Sequence, residues 1–154
     1  MREERRSASE ELFATERKMK DFLKPYFLEI GLTLGQGQPR ILKNLLKKDH
    51  VTQKELADIC HLDVTTMSRT LDKLEKRGWL CRKRDENCRR SYRIILTEAG
   101  REKAREVVKG MLFRDEAAWK GFDRQEMETM FGYLKRIAEN LEEADCQNLT
   151  NSGL

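Results

Sequence analysis

Residues 51–78 read "VTQKELADICHLDVTTMSRTLDKLEKRG", and the fold turns on how this stretch divides. Thr52 and Glu55 stand three apart ahead of an apolar run. At that spacing an N-cap hydroxyl and the third helical carboxylate satisfy one another's backbone donors. Leu56, Ala57 and Cys60 then fall on one helical face. The triplet "HLD" at residues 61–63 reads as a tight turn, and Asp63 is a good N-cap for a second helix. In that helix Met67, Leu71 and Leu74 define the inward face, and Gly78 stops it. Two short helices joined by a three-residue turn form a helix-turn-helix, and the small Ala57 lets the second helix cross the first closely.

The outward face of the second helix carries Thr65, Thr66, Ser68, Arg69 and Lys73. Short hydroxyls stand near its N-terminal end and longer cations beyond. This is the composition of a helix that enters a major groove: arginine pairs bidentately with guanine, and Thr or Ser contacts bases or phosphates. Next come "WLCRK" and "YRIIL", two strands joined by the polar loop "RDENCRRS". Residues 80–97 hold six cationic side chains. A helix-turn-helix followed by a basic hairpin makes a winged helix. Arg89 and Arg90 near the hairpin tip are then placed for a DNA backbone or a minor groove, whose negative potential favours arginine.

Charge patterning points the same way. The chain carries a net +4, but residues 63–93 hold ten Lys or Arg against five Asp or Glu. Residues 123–145 hold three basic against seven acidic residues. A basic middle in an otherwise near-neutral chain implies a polyanionic partner at that place.

Working outward, Leu12, Met19, Phe22, Leu23, Tyr26, Phe27 and Ile30 keep helical spacing, with a break expected near Lys24 because Pro25 lacks a backbone donor. "GLTLGQGQP" reads as a loop, and "RILKNLLKK" as a helix with Ile41, Leu42, Leu45 and Leu46 inward. Thr97 caps a long helix, "EAGREKAREVVKGMLFRDEAAWKGF". Asp123 with Glu126 opens a last one, striped by Met127, Met130, Phe131, Leu134, Ile137 and Leu141. The expected fold is therefore mainly α with a small β-hairpin wing. Residues 1–34 are an N-terminal dimerisation region, 35–97 the winged helix-turn-helix, 98–146 C-terminal dimerisation helices, and 147–154 a flexible tail. At 154 residues and 38% charged, a monomer core would be thin, and the two apolar stripes exceed what it needs. A two-fold dimer follows as the expectation.

No run approaches the roughly 20 apolar residues of a membrane span, and "MREERRSASEELF" has no apolar signal stretch. A cytoplasmic location is expected, with no membrane partner. The four cysteines form no C-x-x-C pair, and His50 with His61 are too few and too scattered for a metal site. Cys60 reads as packing. Cys88 reads as an ordinary reduced thiol in preference to a reactive one, although its cationic surroundings favour thiolate. No nucleophile motif or phosphate-cradling glycine loop is present. The expectation is no enzyme, no catalytic residue, no cofactor and no metal.

Residues 31–100 also carry a resemblance. The L-A pair before the turn, the T-x-S-R segment, the L-E-x-x-G-W-x-x-R run and the closing L-T-x-x-G occur in order and at the spacing of the MarR family of bacterial transcription regulators. The resemblance implies a homodimer of winged-helix subunits with interlocked terminal helices, bound to a palindromic duplex operator. It implies repression relieved by a small aromatic or anionic effector lodged between the dimerisation and DNA-binding lobes; Arg17 and Tyr26 are the pocket candidates. Redox or metal sensing by the same fold is the alternative, and a winged helix that binds RNA or protein is a more distant one. Two positions depart from the family pattern. His61 stands where glycine is usual, and histidine tolerates positive φ. Cys88 stands where an aspartate usually pairs with the arginine two residues on, so Arg90 lacks that partner unless Asp85 or Glu86 replaces it. Arg89 and Arg90 are accordingly expected to be mobile until DNA orders them.

Overall fold

The computed structural model of the protein describes residues 1–33, 35, 37–85 and 88–144, the side chains of residues 88–91 excepted. The chain divides into two compact units, Met1–Ala118 and Trp119–Leu154. The first begins with α1 (Arg2–Phe22), which buries no residue, and α2 (Lys24–Glu29), which buries Phe27. The break falls at Leu23, as Pro25 requires, because a proline in the first turn of α2 has no amide to donate back to α1.

α3 (Gln38–Lys47) buries Ile41, Leu42 and Leu45, while Leu46 is only half-buried. α4 (Gln53–Cys60) opens on the anticipated capping box: the Glu55 amide donates to Thr52 Oγ1 at 3.2 Å, and the Thr52 amide donates to the Glu55 carboxylate at 2.6 Å. α5 (Val64–Lys76) is capped by Asp63, which accepts from the Thr66 amide at 2.8 Å. Between them His61 takes φ +48°, so the turn has the left-handed residue it needs without a glycine. α5 closes at Gly78 (φ +72°), with the Gly78 amide bonded to the Glu75 carbonyl and that of Trp79 to Leu74. That pair of bonds is the six-to-one and five-to-two pattern of a glycine C-terminus.

The wing differs from the sequence expectation in two ways. The segment that caps α4 is also a strand, β1 (Val51–Thr52), since an extended N-cap residue already has strand geometry. The hairpin strands are longer than "WLCRK" and "YRIIL", because pairing continues into the polar loop: β2 spans Leu80–Asp85 and β3 spans Cys88–Leu96. The three form an antiparallel sheet in the order β1-β3-β2, with Arg82 opposite Ile94, Lys83 opposite Arg93 and Arg84 opposite Tyr92. A register shift lies between Arg84 and Asp85.

α6 (Glu98–Ala118) starts on Thr97, whose Oγ1 accepts from the Gly100 amide at 3.0 Å and donates to the Gly78 carbonyl at 2.6 Å. A Cβ on Gly100 would lie 1.7 Å from the Trp79 carbonyl oxygen, so only glycine lets α6 approach the end of α5 so closely. The core joins these elements: Leu56 and Cys60 from α4, Met67, Leu71 and Leu74 from α5, Leu80, Ile94 and Leu96 from the sheet, and Ala104 and Val107 from α6. At its edge the Trp79 indole sits under two cations, Arg77 at 5.0 Å and Lys103 at 5.5 Å from the ring centre. Both cations also bind the chain leaving α2: Arg77 donates to the Gly31 carbonyl, and Lys103 to that of Ile30 at 3.1 Å.

α6 ends at Ala118, earlier than the sequence suggested, and Gly121 (φ +88°) turns the chain beyond it. In the second unit α7 (Arg124–Glu143) opens on the expected Asp123–Glu126 capping box and buries no residue. Its stripe lies open: Phe131 is 69% and Leu141 71% exposed.

Candidate nucleic-acid interface

α5 is amphipathic by burial as well as by sequence. Met67, Thr70, Leu71 and Leu74 are fully buried on one side. On the other, Thr65, Arg69 and Lys73 are exposed, and Thr66 and Ser68 are half-buried. All five residues read from the sequence as the outward face thus share one face of one helix. Thr70 lies in the core, where its hydroxyl donates to the Thr66 carbonyl at 2.7 Å. The same face holds an exposed residue outside that set, Lys76. Lys76 stands seven positions after Arg69, a spacing that returns a helix to the same face.

The hairpin's cations do not act alike. Arg82 is bound to α5: Nη2 donates to Asp72 Oδ1 at 2.7 Å, Nη1 donates to Glu75, and the Arg82 amide donates to the other Glu75 oxygen at 3.1 Å. Arg93 is bound to the other side of the fold. Its Nε donates to Asp85 Oδ2 at 2.7 Å and its Nη1 to the His50 carbonyl at 3.2 Å, with Glu55 at 3.6 Å. These two arginines brace the wing against α5 and α4. Lys83 and Arg84 are exposed. Arg89 and Arg90 lie in β3 by their backbone, and their side chains fall outside the described residues, as does the question of what replaces the missing aspartate at Cys88.

Three carboxylates near the interface are held below their ordinary values. Hydrogen bonds from Thr52 lower Glu55, with the charges of Arg93 and Lys48 adding to them. Bonds from Thr66 lower Asp63. For Asp49 burial raises the pKa, but His50 and Arg101 together outweigh it and the net direction is down. Cys60 moves the other way: burial pushes its thiol up, partly offset by the Asn44 amide 3.6 Å from the sulfur. A protonated core thiol matches the packing role read from the sequence. Among the described residues no group of three or more His, Cys, Asp or Glu is placed to hold a metal ion. Likewise, no helix among them is long and apolar enough to cross a membrane.

The two effector-pocket candidates stand apart in character. The Tyr26 hydroxyl donates to the Glu106 carbonyl at 3.0 Å, and its ring packs where a Cβ on Gly110 would clash at 2.5 Å. Tyr26 thereby fastens α2 to α6. Arg17 is exposed on α1.

A capped helix-turn-helix with a braced three-stranded wing defines a winged-helix protein. Comparison with known proteins supports and narrows this. The MarR family model matches residues 34–92. YybA of Bacillus subtilis (strain 168), described as an uncharacterized HTH-type transcriptional regulator, is 30% identical over 116 residues, 72% of this chain and 74% of its own. The organic hydroperoxide resistance transcriptional regulator of the same organism is 34% identical over 101 residues, 62% of this chain and 66% of its own. Among solved structures, a MarR family transcriptional regulator from Listeria monocytogenes, complexed with a 26-mer DNA, shares 26% identity at a TM-score of 0.76, covering 86% of this chain and 87% of that one. This chain belongs to the MarR family of transcriptional regulators.

Proposed function

We propose that the protein is a sequence-specific DNA-binding regulator that acts as a homodimer on a palindromic operator and represses transcription until a small effector releases it. The observation that carries the DNA reading is the outward face of α5. Thr65, Ser68, Arg69 and Lys73 oppose a fully buried Met67, Leu71 and Leu74, and Arg82 holds the wing beside them. The Listeria relative of the same fold is complexed with a 26-mer DNA, which supports duplex DNA as the partner. In this reading Arg69 reads a base, Thr65, Thr66 and Ser68 contact bases or phosphates, and Lys73, Arg89 and Arg90 meet the backbone or minor groove. The exposed apolar residues of α1 and α7 form the dimer contact, and an aromatic or anionic effector binds near α1, α3 and α6 with Arg17 at its edge.

Selection of bound duplexes from a random pool tests this directly. An inverted repeat with half-sites about one helical turn apart supports it. No enrichment over the starting pool, or equal retention of RNA, sinks it. Repeating the selection with phenolic and aromatic-acid ligands tests the effector; if none changes affinity, regulated release fails while DNA binding stands. A redox-sensing variant of the same function draws on the hydroperoxide-resistance relative. Cys60 is unsuited to it, being buried with a raised pKa. That variant therefore depends on Cys81, Cys88 or Cys146, and loss of the peroxide response in one of the three single Cys→Ser proteins is its test.

A further inference from the structure

The wing sorts its cations by strand face. In β2 the alternation puts Leu80, Arg82 and Arg84 on one side and Cys81 and Lys83 on the other. Cross-strand partners agree: Arg82 and Arg84 stand opposite Ile94 and Tyr92, whereas Lys83 stands opposite Arg93. The first side looks toward the recognition helix, since Leu80 and Ile94 enter the core there and the Arg82 guanidinium reaches Asp72 and Glu75 of α5. Arg84 lies two residues further toward the wing tip on that side, about 7 Å along the strand. It has passed the edge of the core and is exposed, and no hydrogen-bond or ion-pair partner accompanies its side chain among the described residues. Lys83 is equally exposed but belongs to the side where Arg93 meets Asp85 and Glu55.

Neutralisation separates the three further. Arg82 already faces two carboxylates, so moving it to a phosphate would leave Asp72 and Glu75 uncompensated beside DNA. Arg84 has no such obligation among the described residues. We propose that Arg84 is the phosphate-contacting cation of β2, that Arg82 is withheld from DNA by the recognition helix's own carboxylates, and that Lys83 points away from the contact. This rests on the DNA-binding reading above and adds to it a residue and a side of the wing.

The test is the salt dependence of binding to a random-sequence duplex, which needs no knowledge of the operator. Each phosphate contact contributes about 0.9 to the slope of log affinity against log salt concentration. Arg84→Ala should flatten the slope by about that much per protomer, about 1.8 for a bound dimer, Arg84→Lys should restore most of it, and Lys83→Ala should leave it unchanged. Thermal melts of the three variants show whether each has kept its fold. An unchanged slope in folded Arg84→Ala, or an equal flattening by Lys83→Ala, overturns the assignment. Failure of the unmodified protein to bind any duplex at low salt overturns the DNA-binding reading itself, and Arg84 with it.

Discussion

At the scale of single residues, the cations of the hairpin look interchangeable in sequence and are not so in the structure. Arg82 and Asp72 are ten positions apart, and nothing local in the chain announces that they meet. Under the proposed DNA contact, removing Arg82 exposes Asp72 and Glu75 on the helix set against the phosphates, at about 1 kcal/mol of repulsion each at low salt. Arg82→Ala should therefore weaken binding to every duplex, and adding Asp72→Asn with Glu75→Gln should recover most of the loss, as read by titration of one labelled duplex. Persistent weakness in the triple variant would mean that Arg82 touches DNA or holds the wing's shape by other means. Arg69→Ala carries a different expectation: about 1–3 kcal/mol, confined to one base position in each half-site. Gly100 shows where sequence reading stops short of cause. The closing L-T-x-x-G was visible in the chain, but its reason is the Trp79 carbonyl, brought close by packing. Gly100→Ala must push α6 off the end of α5, and we expect about 1–3 kcal/mol of destabilisation in a chemical melt.

At the scale of elements, what could be read was what is local. The caps at Thr52, Asp63 and Asp123 each need only a neighbour three residues away, and all three form as written. β1 was missed because its pairing with Ile94 and Arg93 depends on contacts more than forty residues distant. The caps also set a pH response. Glu55 and Asp63 are held below ordinary values of 4.5 and 3.8 in the folded state. A carboxylate with a depressed folded pKa adds stability above its unfolded pKa and loses it as pH falls through the folded one. The melting temperature should thus be insensitive to these groups above about pH 5 and drop as pH falls below about 4.5. Glu55→Gln should start lower at neutral pH and show a shallower acid decline; a decline as steep as that of the unmodified chain would remove Glu55 from the account.

At the scale of the whole molecule, the apolar stripe of α7 is largely exposed within its unit, whereas the N-terminal stripe is covered in part, with Leu23 and Phe27 buried and Phe22 50% exposed. Phe13 and Phe113 in the first unit, and Phe131 and Leu141 in the second, are each more than 60% exposed. Aromatic surface of this kind in a single chain marks an interaction site. With a second copy as the partner, sedimentation at micromolar concentration should give a dimer, and Phe131→Glu should shift it to monomer. In the same variant, loss of tight binding to a two-half-site duplex without loss of the winged unit's thermal transition would separate assembly from folding. A stable monomer that still binds such a duplex at full affinity would end the dimer proposal.

The indole beneath Arg77 and Lys103 has a practical corollary. The chain has two tryptophans, and the other, Trp119, belongs to the second unit, edge-on to Phe122. A Trp119→Phe protein would keep one indole, excitable apart from the tyrosines at long wavelength and seated where the chain leaving α2, the end of α5 and α6 converge. Its emission colour and its accessibility to a collisional quencher would register any shift among those three elements without a dye or a label. The molecule thus carries its own optical gauge. A compound that loosens the grip of Arg77 and Lys103 on the Ile30 and Gly31 carbonyls would announce itself as a spectral change before any promoter had been found.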